Sequence, residues 1–281
     1  MSNYFTEENS AELVIERFHN CKNPRLKEVM IAAVRHLHEF AKEVEPTMDE
    51  WCSCIQFLTD TGKMCDEKRQ EWILASDTLG VSMLLETINH RSGDGRTEAT
   101  VIGPFFREGA PHLEMGSNIS QSDSGERCLI SGVVQSIDGS PIKDAMLDVW
   151  QTNGDGYYDV QSPETSDQMD MRAKFITGGD GKFWFKTVKP VSYPVPVDGP
   201  AGQLMTSLGR HAYRPAHIHF MVHAIGYENI TTHLFVEGDP YIESDAVFGV
   251  KESLIIPFTK TKDNGEISEW SATFDFSLAP I

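Results

Sequence analysis

The residues best able to do chemistry stand in one short run, Arg214-Pro215-Ala216-His217-Ile218-His219-Phe220-Met221-Val222. Alternate side chains of a β-strand share a face. In that conformation His217 and His219 point one way, and Ile218, Phe220 and Val222 fill the opposite, buried face. Two imidazoles on one face of a rigid strand are half of a metal site, or else two hydrogen-bonded histidines at a sheet surface. His223 has the same parity but lies further along, and reads as structural. The remaining ligands would decide the metal: carboxylates complete a facial triad, and cysteine points to zinc or copper. The loops of this chain offer phenols instead, in Gly156-Tyr157-Tyr158-Asp159 and at Tyr193 between Ser192 and Pro194. A free phenol has a pKa of about 10. A ferric ion draws it toward phenolate, a hard oxygen donor that suits iron(III) better than zinc or copper(I). A tyrosine in either segment also fits a packed aromatic with its hydroxyl satisfied.

Two kinds of element must position these residues. The first ninety or so read as helix. Asn23-Pro24 is an N-cap followed by proline at the first helical position. Leu26, Met30, Ala33, Leu37 and Ala41 recur at the helical period. Thr47 and Glu50 form a capping box ahead of Trp51, Ile55 and Leu58, and Glu67 to Ile88 is a further apolar-striped segment. His36 and His38 diverge on their helix and make poor co-ligands. After the turn-rich stretch 89–95 the period changes. Short β-rich runs appear at 128–134, 145–151, 173–177, 216–222, 230–236, 253–258 and 269–276, with turn signals such as Asp138-Gly139 between them. The expected fold is α+β: a helical N-terminal domain, residues 1–92, followed by an antiparallel β-sandwich domain, residues 93–281. Segments 93–126 and 187–214 lack regular patterning but hold Phe105, Phe106, Tyr193 and Tyr213, so they are expected to be functional loops.

The 281 residues carry 24 Lys+Arg against 42 Asp+Glu, a formal charge of −18. That field repels phosphate backbones and argues against nucleic acid or an anionic membrane surface as partner. It leaves room for a small anionic substrate beside a local metal charge. No run reaches the ~18 apolar residues of a membrane span, and Met1 to Glu8 lacks the pattern of a signal peptide. The five cysteines, Cys21, Cys52, Cys54, Cys65 and Cys128, are irregularly spaced and read as free thiols in a reducing cytoplasm. No glycine-rich dinucleotide fingerprint is present.

Several pieces together resemble the intradiol ring-cleaving dioxygenases, which include catechol, chlorocatechol and hydroxyquinol 1,2-dioxygenases. They are Leu74–Ser82, Gly103–Phe106, Leu147–Gln151 with Gly156–Asp159, Ser192–Pro200, Arg214–Phe220 and Val236–Tyr241, in the family's order. The resemblance implies one Fe(3+) per chain held by Tyr158, Tyr193, His217 and His219, with Tyr158 rather than Tyr157 as ligand. It implies that Arg214 stabilises negative charge on the substrate ring. In the family's reaction the diol chelates iron as a dianion, and a bound hydroxide and the axial Tyr193 take its two protons. Dioxygen attacks the activated ring carbon, and acyl migration followed by hydrolysis gives a muconate. His233, in Thr231-Thr232-His233, replaces the glutamine typical of catechol-cleaving members and resembles the hydroxyquinol branch, as do the segments 156–161 and 245–250. Asp77 falls where the family lines its pocket and would accept a hydrogen bond from a third ring hydroxyl; alternatively it caps a helix or turns to solvent. Leu74, Val101, Gly103, Pro104, Phe105, Val195, Pro196 and Val247 would form the rest of the wall. The product expected from benzene-1,2,4-triol is 3-hydroxy-cis,cis-muconate, which tautomerises to maleylacetate, in cytoplasmic aromatic catabolism. The family also implies a homodimer through the helical domain, with an apolar tunnel able to hold a phospholipid. The competing readings are a catechol or chlorocatechol 1,2-dioxygenase, a non-catalytic β-sandwich carrier, and a zinc hydrolase built on His217 and His219.

Overall fold

The computed structural model describes residues 4–66, 69–91, 93, 95–121, 124–161, 169–263 and 266–281, and of 261–263 and 266–268 the backbone alone. The chain divides into two compact units, Met1–Thr59 and Asp60–Ile281. Ser92, the expected domain boundary, lies outside the described residues.

The first unit holds α1 (Ser10–Glu16), α2 (Pro24–Val44) and most of α3 (Met48–Lys63). Both expected caps form. The Asn23 side chain accepts from the Leu26 N–H at 3.0 Å. The Glu50 carboxylate accepts from the Thr47 N–H at 2.8 Å, and the Glu50 N–H returns to the Thr47 hydroxyl at 3.3 Å. His38 is hydrogen-bonded to the Ser10 hydroxyl at 3.0 Å and takes no part in a metal cluster among the described residues. Leu26, Met30, Leu37 and Phe40 of α2, with Trp51, Ile55 and Leu58 of α3, remain exposed.

In the second unit the expected segment 67–88 is two helices, α4 (Glu71–Thr78) and α5 (Val81–Asn89). Gly80 separates them at φ +75°, a left-handed conformation that ends a helix at little cost for glycine. The strands that follow are β1 (Arg127–Ser136), β2 (Met146–Trp150), β3 (Arg172–Ile176), β4 (Lys182–Val188), β5 (Tyr193–Pro194) and β6 (Tyr213–Arg214). After them come β7 (His217–His223), β8 (Ile230–Val236), β9 (Ile255–Ile256), β10 (Thr259–Asp263), β11 (Glu266–Thr273) and β12 (Phe276–Leu278). Helix α6 (Pro200–Ser207) lies inside the segment expected to be irregular.

One sheet has the order β10-β11-β1-β12, with β4 also on β1, and the other runs β3-β2-β7-β8-β9. Pairing is antiparallel as expected, except that β1–β11, β1–β12 and β8–β9 are parallel. The β4 strand was not anticipated, and of 253–258 only β9 is strand, after a 3-10 turn at 252–254. The sheets pack through aromatic rings. Phe175 stacks on Phe185 at 5.2 Å, and Phe220 lies 6.3 Å from Phe183 and 4.9 Å from Phe276. Phe220 is completely buried at the centre of this interface. Phe220→Ala is expected to cost about 3–5 kcal/mol, the usual range for emptying such a site, read as a lowered urea midpoint with unchanged m-value.

Candidate functional site

β7 alternates as its sequence requires. Ile218, Phe220 and Val222 enter the inter-sheet core, and His217 and His219 emerge on the outer face of the second sheet, both still buried. The register carries one row straight across that face: Arg172 on β3, Trp150 on β2, His219 on β7 and His233 on β8. Each member braces the next. The Trp150 indole stacks on His219 at 4.6 Å and 14°, and the His233 ring lies 4.1 Å from it. His233 is held in turn by a hydrogen bond between its Nδ1 and the Thr100 hydroxyl. His223, at the strand end, is exposed and turned to Asn229, outside the site.

Two loops bring in the phenols. Tyr158 Oη lies 3.0 Å from His219 Nε2 and 3.2 Å from Tyr193 Oη, and the two histidine Nε2 atoms are 3.2 Å apart. Tyr158 is buried and Tyr157 is exposed, which distinguishes the two adjacent tyrosines. The loop of Tyr158 is anchored by its neighbour: Asp159 takes a forked, buried ion pair from Arg172, with Nε–Oδ2 at 2.8 Å and Nη2–Oδ1 at 2.6 Å. Tyr193 begins β5, which pairs with β6 so that Tyr193 faces Arg214 in register. Arg214 donates to both oxygens of Asp245 at 3.0 and 3.2 Å, and its Nη1 reaches His217 Nε2 at 3.2 Å.

The electrostatics fit a cation-binding centre. His217 Nδ1 lies 2.7 Å from the Pro215 carbonyl, which can only accept; Nδ1 is therefore the protonated nitrogen, and the Nε2 lone pair faces the cluster. Burial and then Arg214 push His217 down to about 3. Burial and neighbouring positive charge also hold His219 and His233 well below the usual imidazole range. Burial raises both phenols above their ordinary value, Tyr158 the more strongly. Desolvation would raise the Asp245 carboxyl, but Arg214 outweighs it and leaves it lowered. Two neutral imidazole nitrogens and two phenol oxygens thus converge in a buried site. The donor set matches a hard trivalent metal better than zinc. His217, His219 and His233 are also the grouping of histidine, cysteine and acidic side chains with metal-binding spacing among the described residues.

Other expected site residues gather nearby. Leu74, Val195 and Val247 share one apolar cluster. Leu74, Pro104, Phe105 and Pro196 line a cavity of about 390 Å³, and Phe105 stacks on Tyr158 at 4.5 Å. Gly103, at φ +74°, brings its backbone so close that a Cβ would stand 3.3 Å from His219 Cε1. Val101 is buried next to Thr100. Asp77 is 3 % exposed, so it does not turn to solvent; burial raises its carboxyl, against the pull of the Ser82 hydroxyl and Arg214.

A family model described as Dioxygenase matches residues 101–280, and one described as Catechol dioxygenase N terminus matches residues 23–97. A hydroxyquinol 1,2-dioxygenase of Rhizobium sp. (strain MTP-10005) is 50 % identical over 284 residues, covering 98 % of this chain and 96 % of that protein. The chain belongs to the intradiol ring-cleaving dioxygenases. A 6-chlorohydroxyquinol 1,2-dioxygenase of Cupriavidus pinatubonensis (strain JMP 134 / LMG 1197) is 45 % identical to this dioxygenase, with 98 % of each chain covered. The crystal structure of a hydroxyquinol 1,2-dioxygenase from Pseudomonas putida DLL-E4 superimposes with a TM-score of 0.90 at 44 % identity, over 98 % of this chain and 99 % of that one. The dioxygenase is therefore an oxidoreductase, which removes the carrier reading.

Trp150, Asp159 and Asp245 stand in segments that carry the family resemblance, but sequence reasoning assigned no role to them, to Thr100 or to Arg172. The available signal for Arg172 was an arginine in a short strand close behind the Tyr158-Asp159 loop. No helix among the described residues is long and apolar enough to cross a membrane.

The three buried histidines set a pH dependence. Their folded-state pKa values lie below the unfolded value of about 6.5, so the unfolded chain binds more protons in acid. Their contribution is complete above pH 6.5 and is lost as the pH falls from there toward 3. The unfolding free energy of the metal-free dioxygenase, read from urea titrations, is expected to drop between pH 7 and 5, by on the order of 1 kcal/mol per pH unit for each histidine. Replacing His233 with Gln should flatten the slope.

Proposed function

We propose that this dioxygenase cleaves hydroxyquinol, benzene-1,2,4-triol, between its adjacent hydroxyl carbons with O2, giving 3-hydroxy-cis,cis-muconate and maleylacetate in cytoplasmic aromatic catabolism. One observation carries the chemistry: the convergence of Tyr158, Tyr193, His217 and His219 through contacts of 3.0–3.2 Å. We assign these four as ligands of a single Fe(3+). The substrate choice is supported by the buried carboxylate of Asp77 and by the names of the similar proteins.

Ferric iron, when bound, supplies the Lewis acidity that favours the diol dianion and prepares the ring for O2. The side chains do the rest. Tyr193 takes one diol proton and keeps it, because burial holds its free phenol above the usual range. Arg214, fixed by Asp245, presents a permanent positive charge to the anion developing on the ring. Trp150 and His233 hold the His219 ring from either side, and His233 thereby acts in support of the ligands. Leu74, Val101, Gly103, Pro104, Phe105, Val195, Pro196 and Val247 form the apolar wall, and Asp77 meets the third hydroxyl. We further assign residues 1–92 to a helical arm and 93–281 to the catalytic domain. The exposed stripe of Leu26, Met30, Leu37 and Phe40 supports homodimer formation through that arm, and we assign any bound phospholipid to the same apolar face.

The test is the visible spectrum of the purified protein without oxygen. A reddish tyrosinate-to-iron band that moves to longer wavelength with the triol, and much less with catechol, is the expected result. A larger shift with catechol would overturn the substrate choice, and a colourless zinc-loaded protein would overturn the iron site. In Asp77→Leu, kcat/KM for the triol should fall about 100-fold relative to catechol, because a side chain of similar size then offers no acceptor to the third hydroxyl.

A further inference from the structure

The cavity of about 390 Å³ that reaches Leu74, Phe105 and Pro196 is also lined by the charged side chains Arg69, Glu71 and Asp198, termed its rim because Asp198 and, in part, Arg69 are exposed. It lies against the segments carrying both phenols, since Gln161 accepts from the Tyr158 N–H at 2.8 Å and Pro196 follows Tyr193 closely in the chain. Arg69 is the one cation among the described lining residues, and its guanidinium is committed. Nε and Nη2 donate to Glu71 Oε2 at 3.0 and 2.9 Å. Nη1 and Nη2 donate to the two oxygens of Asp198 at 2.8 and 3.0 Å.

The two carboxylates are not equivalent. The Glu71 side chain is completely buried, and its other oxygen accepts from the Ala201 N–H in the first turn of α6 at 3.0 Å, so it is held from two sides. Asp198 is mostly exposed and has its salt bridge to Arg69 alone as a charged partner among the ion pairs of the rim. One cation against two carboxylates leaves the rim with a surplus negative charge. An aromatic diol without a carboxylate passes such a rim, whereas one bearing a carboxylate finds no free cation and meets like charge.

We propose that Asp198 is a specificity-determining residue, cancelling Arg69 so that carboxylate-substituted diols are refused. This rests on the ring-cleavage reading above. The rim is distinct from Asp77, which does not line this cavity and is assigned above to the third hydroxyl.

The experiment compares 3,4-dihydroxybenzoate with its uncharged isostere 3,4-dihydroxybenzamide, which separates charge from shape. Dissociation constants of the iron-loaded enzyme are measured by anaerobic titration calorimetry, for the natural chain and for Asp198→Asn. The benzoate-to-benzamide affinity ratio should rise about tenfold in D198N, as expected for freeing one partly buried charge, and should fall back as salt is raised to 0.5 M. Introducing Arg69→Gln beside D198N should abolish the gain. An unchanged ratio in D198N, or a gain that survives loss of Arg69, would overturn the proposal. Triol cleavage is assayed in the same preparations: its absence from the natural chain would refute the ring-cleavage reading, whereas cleavage with an unmoved ratio would refute the rim alone.

Discussion

Everything in the site depends on the two-residue repeat of one strand. Ile218, Phe220 and Val222 cannot enter the inter-sheet core without placing His217 and His219 on the other face. The hydrophobic free energy that closes the sandwich is therefore the same free energy that aims the imidazoles. Because β2 and β8 pair with β7 in fixed register, Trp150 and His233 arrive on either side of His219 with no separate device. A slip of one residue would turn both histidines into the core and Phe220 out of it, a cost far beyond any gain in the site.

The loops solve a different problem. Tyr158 and Tyr193 stand on segments with little regular structure, where ordering costs entropy for each residue fixed. Each is held by an ion pair at its side. Asp159 locks onto Arg172 of β3, and Arg214, paired in register with Tyr193, locks onto Asp245. Buried charges of this kind are costly to desolvate, and the forked geometry with several hydrogen bonds offsets that cost. Their return is placement: phenols carried by loops stand as firmly as the histidines carried by a strand.

The parts legible in the sequence were those with local causes. The caps at Asn23 and Thr47 follow from side chains reaching their own backbone, and the shared face of His217 and His219 follows from spacing. The parts that stayed hidden are non-local. β4 is a strand because its neighbour is β1, and the parallel pairings of β1 with β11 and β12 join distant segments that no local period marks. The break at Gly80 could be read from glycine, but the strong apolar stripe on both sides masked it. The meeting of Tyr158 with Tyr193 came from family resemblance; the residues alone left metal ligand and packed aromatic both open. The Asp159–Arg172 pair was written in the residue types yet needed the sheet to bring its members together.

The charge at the cavity rim also gives the passage a direction. A ring opened between its hydroxyl carbons ends as two carboxylates, so the cargo enters without a carboxylate and leaves as an anion. On the proposed role of Asp198, the same surplus charge around Arg69, Glu71 and Asp198, set within a chain of formal charge −18, would admit the one and repel the other. Turnover would thereby create its own outward push, and accumulated product would compete poorly for the pocket it has just vacated.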